Sequence, residues 1–256
     1  MLIDTHTHLY VEDFDTDYKE VIQRAMQQGV EYFFLPAIDA QYTERMFRLK
    51  REYPQQMFLM NGLHPCSVKE NWKEELSHVI SLMKTYRKDI YAIGEIGIDL
   101  YWDKTFLEEQ KTAFRLQIAL AKEHSLPIVI HCREAFEEVF EVLESEKDKQ
   151  LFGIFHCFSG NKEQAERAIS FGLKLGIGGV VTFKNGKLDT FLNEIPLENI
   201  VLETDAPYLA PVPFRGKRNE SSYLTYIVKK LAEIYNLSEN EIINQTTKNA
   251  KEIFCI

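Results

Sequence analysis

LPIVIHCREAFEEVFEVLESEKDKQLFGIFHC, residues 126–157, holds two short apolar runs that both end in His-Cys, joined by a segment of different period. LPIVIHC and LFGIFHC are β-rich and apolar on both faces, as strands are when both sides are buried. Between them Ala135–Ser145 carries a helical pattern. Strand, crossover helix and strand make one βα repeat of a parallel sheet. The same unit recurs in both directions. LIDTHTH, EYFFLPAI, MFLMNGLH and IYAIGEIGI precede it, and LKLGIGG and IVLETDA follow it. Helical segments fall between the runs at Asp17–Gln28, Tyr42–Tyr53, Trp72–Arg87, Phe106–His124, Lys162–Phe171 and Lys187–Glu194, with Asn161 as a cap and Gly29 and Gly172 as stops. Eight strands alternating with seven helices in about 250 residues predict an α/β chain folded as a (β/α)₈ TIM barrel. Tyr223–Tyr235 and Ser238–Ile253 add two C-terminal helices. With no linker-like stretch, one domain over 1–256 is expected.

Composition narrows the class. The chain is 45% hydrophobic and 27% charged, ordinary for a globular protein, and no apolar run approaches the ~20 residues of a membrane helix. No basic stretch precedes an apolar one at the N-terminus, so no signal peptide is expected. Cys66, Cys132, Cys157 and Cys255 show no paired spacing, which points to a reduced, cytoplasmic setting. A net charge of −9 argues against broad charge-driven binding to nucleic acid, yet bound cations and a local basic loop can serve a nuclease.

In a barrel of this kind the C-terminal strand ends converge on the site. Those ends carry His6 and His8, His64, Glu95, His131, His156, and Glu203 with Asp205. His6 and His8, two apart, share a face of an extended strand. Any one of these residues alone reads as a hydrogen-bonded core residue. Five of the seven histidines at strand ends is another matter, because burying so many polar groups together is costly unless cations satisfy them. His6, His8, Glu95, His131, His156 and Asp205 outnumber the three protein ligands of a single catalytic zinc, so a pair of divalent ions bridged by Glu95 is expected. His6, His8 and Asp205 would hold one ion, and His131 and His156 the other. Asp4 would brace the ligands from behind. His78 and His124 read as surface residues, and Cys132 and Cys157 as small apolar groups facing away from the site.

The stretches IDTHTHL, GLHP, AIGEIGIDLYWD, PIVIHCREA, FHCFSG, IGIGGVVTFKN, LETDAPYLAP and RGKRNE, in that order over residues 3–220, resemble the TatD family of metal-dependent nucleases, amidohydrolase-like barrels. One departure is Ser221-Ser222, where the family commonly has Pro. The resemblance implies a deoxyribonuclease or 3′→5′ exonuclease that hydrolyses phosphodiesters with Mg²⁺ or Mn²⁺, Zn²⁺ being compatible with the same ligands. It places the family's metal ligands on the six residues already named, and an active-site histidine on His64. The expected chemistry is in-line attack by a metal-bound hydroxide, with Asp205 taking the proton and His64 touching a phosphate or leaving oxygen. Glu203 either serves a phosphate or water network or pairs structurally with a neighbouring base. Arg215, Lys217 and Arg218 form one basic knot after strand eight, where many barrels bind phosphate. Tyr101 and Trp102 either stack on a base or cap the barrel. The substrate is expected to be single-stranded DNA, with no membrane or protein partner. A metal-dependent ester or amide hydrolase, acting for example on aminoacyl-tRNA esters, is the alternative, and a non-catalytic binding role is disfavoured because it leaves the ligands idle.

Overall fold

A computed structural model describes residues 1–256. Its strands are β1 (Leu2–Asp4), β2 (Val30–Leu35), β3 (Met57–Asn61), β4 (Ile90–Asp99), β5 (Ile128–Arg133), β6 (Gly153–Phe155), β7 (Leu173–Ile177) and β8 (Ile200–Leu202). They lie in chain order, and every neighbouring pair is parallel. β8 returns to the start of the chain, where Thr5 N donates to Leu202 O at 3.0 Å, Asp205 N to His6 O at 2.9 Å and His8 N to Ala206 O at 2.7 Å. Those bonds bring the sheet round into a nearly closed (β/α)₈ barrel, with the helices between the strands.

The connecting helices are α1 (Tyr18–Gln27), α2 (Thr43–Glu52), α3 (Trp72–Tyr86), α4 (Leu107–Glu123), α5 (Phe136–Ser145) and α6 (Lys162–Ser170). Asn161 opens α6 with a reciprocal capping box to Gln164. The seventh expected helix, Lys187–Glu194, is absent as such. Leu188–Thr190 and Leu192–Glu194 form separate 3₁₀ turns instead. Lys187 sits in the left-handed region, Phe191 leaves helical geometry at φ −141° and ψ −12° between the turns, and Pro196 disfavours helical geometry at Ile195. Leu188 and Leu192 are nevertheless buried, so the turns cover the barrel wall as a helix would.

Period two along each strand divides its side chains between two cores. One set packs outward under the helices. The other, including Ile3, Phe34, Met60, Ala92, Val129, Ile154 and Val201, fills the barrel. The C-terminal helices α7 (Leu224–Tyr235) and α8 (Glu239–Phe254) complete the chain. α8 closes the barrel floor with Ala250, Ile253 and Phe254, the Phe254 ring stacking on Phe34 at 3.7 Å. Dry aromatic packing below leaves the upper end of the same strands for polar groups. No helix is long and apolar enough to cross a membrane.

Candidate metal centre

Glu95, buried in β4, is the residue around which the strand ends converge. His6 Nε2 lies 3.1 Å from its Oε2, His8 Nε2 3.6 Å, and His131 Nδ1 2.8 Å from its Oε1. His64 Nε2 and His156 Nε2 stand at 3.5 and 3.7 Å from the same Oε1. Burial alone would raise the Glu95 carboxyl, but the ring of imidazoles holds it well below the usual range. Asp205 faces the ring from the other side, with Oδ1 3.5 Å from His8 Nε2, 3.8 Å from His156 Nε2 and 3.9 Å from His6 Nε2. Its own backbone is left-handed at φ 59°, a conformation that costs roughly 1–2 kcal/mol outside glycine.

Behind the ring, other groups aim the imidazoles. Tyr10 Oη donates its one proton to the Pro36 carbonyl, so it can only accept from His8 Nδ1, 2.8 Å away. The His8 Nε2 lone pair is thereby turned toward two carboxylates. Asp99 Oδ2 holds His131 Nε2 at 2.8 Å, while its Oδ1 accepts from the backbone of Tyr101 and Trp102. Burial opposes the charge on both partners. The ion pair prevails, keeping Asp99 down at about 2 and, with Glu95, His131 up at about 9. Asp99 escaped the sequence reading, although four residues after Glu95 on one strand was the available signal.

Glu203 is fully buried, accepts from Cys157 N at 2.6 Å and lies 3.0 Å from His156 Nδ1. Its carboxylate occupies the space beside Gly176, where a Cβ would come within 2.1 Å of Oε2. Against the burial, Glu203, Glu95 and Asp205 hold His156 up at about 10. His6 stacks flat on His156 at 3.4 Å, and burial plus that neighbouring charge push it down to about 4 despite Glu95. Asp4 braces backbone rather than a ring. It accepts from Thr204 N and Oγ1 at 3.0 and 2.6 Å and from His6 N at 3.4 Å. Cys132 packs toward the outer core as period two requires. Cys157 departs from it: φ 44° turns the thiol in, within 4.8 Å of ligand atoms of His156 and Asp205.

At the mouth, His64 Nδ1 accepts from Cys66 N at 3.0 Å, which puts the ring proton on Nε2, facing inward. The basic knot is split. Arg218 is bidentate to Asp17 at 2.8 and 2.6 Å and also donates to Asp13 O. Arg215 is exposed and lies over Phe183 at 4.4 Å, and Lys217 is exposed without an ion pair. Tyr101 and Trp102 are 49% and 72% exposed, so they project into solvent instead of sealing the barrel. Of the two remaining histidines, His78 is half-buried with Nε2 2.8 Å from Thr43 Oγ1, and His124 is half-buried at the end of α4.

A family model described as TatD related DNase matches residues 3–255. The chain belongs to the TatD family. It is 42% identical, over the full length of both chains, to the uncharacterized metal-dependent hydrolase YabD of Bacillus subtilis. It is 32% identical, over 99% of each chain, to the 3′-5′ ssDNA/RNA exonuclease TatD of Yersinia pseudotuberculosis. The crystal structure of the TatD homologue YjjV from Escherichia coli superposes with a TM-score of 0.93 at 30% identity, covering all of this chain and 98% of that one.

The TatD ligand groups fit divalent cations. Imidazole nitrogens and carboxylates face one another across the ring with no Lys or Arg between them, and His6 Nδ1 and Glu203 Oε2 are buried without a hydrogen-bond partner. Four groups have ligand atoms within 4.8 Å of one another, and two of them, the clusters His6–His8–Asp205 and His64–Glu95–His131, share no residue and do not include His156. His156 groups with His6 and Glu203, and with Cys157 and Asp205, so it sits nearer the first cluster than the pairing with His131 anticipated. The chain is a TatD-type metal-dependent hydrolase.

Proposed function

We propose that this hydrolase cleaves phosphodiester bonds of nucleic acid, as a 3′→5′ exonuclease on single strands working in the cytoplasm. Two divalent ions, Mg²⁺ or Mn²⁺, would be held by His6, His8, His131, His156 and Asp205, with Glu95 shared between them. The observation that carries this reading is Glu95 itself: one buried carboxylate within 3.7 Å of five imidazole nitrogens is a site built for more than one cation. The activity named for the Yersinia relative supports the choice of substrate.

When bound, the ions supply positive charge at the phosphate and acidify water. Asp205, 13% exposed, is placed to accept the proton of the attacking water, and the His64 Nε2–H to donate to a phosphate or leaving oxygen. Glu203 acts through His156 by fixing its ring. Arg215 and Lys217 offer free cations to the phosphate chain. Arg218 serves the same loop indirectly, by tying it to α1 through Asp17.

Cleavage of 5′-labelled single-stranded DNA tests the proposal. Chelator-stripped protein receives Mg²⁺, Mn²⁺ or Zn²⁺, beside a His131→Ala control. A metal-dependent ladder shortening from the 3′ end, absent in the control, is the expected result. Bound metal with no cleavage would overturn it and turn attention to carboxylic ester or amide substrates.

A further inference from the structure

Arg133 is the last residue of β5, two positions beyond His131 and on the same face, one step closer to the mouth. Its backbone is pinned there, because Leu100 N donates to Arg133 O at 2.9 Å. Its guanidinium carbon lies 3.6 Å from the centre of the Tyr101 ring and 5.3 Å from that of Trp102. The two rings meet edge to face at 4.8 Å. Arg133 is exposed and has no carboxylate within 4.0 Å, unlike Arg24, Arg45, Arg51, Arg167 and Arg218. Trp102 is the most exposed large apolar side chain in the protein.

This arrangement is tied to the metal centre through one carboxylate. Asp99 grips His131 with one oxygen and the backbone of Tyr101 and Trp102 with the other. A guanidinium lying flat on a ring keeps its edge donors free for a phosphate. An aromatic face in water offers a base a stacking partner, but only a base that is not already stacked in a duplex.

We infer that Arg133, Tyr101 and Trp102 form a subsite for the nucleotide adjoining the scissile bond, Arg133 binding its non-scissile phosphate and the two rings its unpaired base. The inference rests on the nucleic-acid reading above and adds a physical basis for single-strand preference.

Substrate editing paired with side-chain removal tests it on the metal-loaded enzyme. Trp102→Ala raises KM for a short oligothymidylate by about tenfold, as the loss of one base stack does. That penalty disappears on an oligonucleotide with an abasic residue next to the scissile bond, because the missing partner is then missing on both sides. Arg133→Ala likewise raises KM by about tenfold, and a neutral methylphosphonate at the adjacent linkage removes the difference from wild type. If either variant penalises edited and unedited substrates alike, the residue acts only on the structure of the loop and the subsite is wrong. If wild-type enzyme cleaves a simple aryl phosphodiester but no oligonucleotide, the nucleic-acid reading fails, and the subsite with it.

Discussion

Val129 and His131 stand two residues apart on the same face of β5, and their surroundings are opposite in kind. Val129 belongs to the dry plug with Ile3, Met60, Ile154 and Phe254, whereas His131 is held between two carboxylates. At the floor every contact is dispersion and buried apolar area, so each side chain contributes to stability. At the top, charged and polar groups are desolvated together, and such a cluster costs stability unless its partners are complete. The same strands thus supply a region selected for packing and a region selected for ligand geometry. Mutations in the two should separate fold from function.

The sharpest break comes at Glu95. Glu95→Ala should lose metal and cut hydrolysis by about 10³-fold or more, with the protein still folded, as metal analysis and rate measurements would register. Full activity in that variant would remove Glu95 from the centre. Phe254→Ala is the converse case. It should cost about 3–5 kcal/mol in urea unfolding while the folded fraction keeps its activity, and a specific loss of kcat would join floor to site. Glu203→Gln tests the support behind a ligand. Metal affinity should fall about 10–100-fold, as it does when a group orienting a ligand is altered, and an effect confined to substrate KM would favour direct phosphate or water contact.

The pH dependence of chelator-stripped protein sharpens the contrast further. His131 and His156 are raised, to about 9 and about 10, so their stabilisation is complete below the free-histidine value near 6.5 and fades as pH rises through 9–10. His6 is lowered to about 4, so its contribution is lost as pH falls from about 6.5 toward 4. Asp99, held at about 2, contributes above the free-carboxylate value near 4 and loses that contribution on acidification to 2. Melting temperature should therefore decline on the alkaline side, and His131→Ala should flatten that decline, whereas Phe254→Ala should lower the curve without reshaping it. The smallest effects lie on the loop after β8. Arg218→Ala should cost up to about 1 kcal/mol of stability. Arg215→Ala should leave stability alone and weaken oligonucleotide binding several-fold, with a shallower salt dependence.

Legibility followed the range of the interaction. Asn161 and its reciprocal partner Gln164 lie three residues apart, so the start of α6 was readable. His6, His8, His131, His156 and Asp205 were readable because an apolar parallel strand makes a polar terminus conspicuous. Lys187–Glu194 misled because its apolar spacing suits a helix while the left-handed Lys187 and nearby Pro196 leave room only for 3₁₀ turns. Cys157 misled for a similar reason, since a left-handed residue ends the alternation that placed it outward.

Periodicity and the chemistry of the strand ends, both properties of short segments, therefore determine the barrel, its order and the His, Glu and Asp residues that converge at one end of it from the sequence alone. Partner choice needed the folded chain. Arg218 is 201 residues from Asp17, and Glu203 is 46 residues from the amide it accepts from. Asp99 and His131 come from different strands, and Arg133 at the end of β5 covers rings carried by the loop after β4. A cation's charge is visible in its letter, but whether that charge is already neutralised depends on which surface the barrel closes against it.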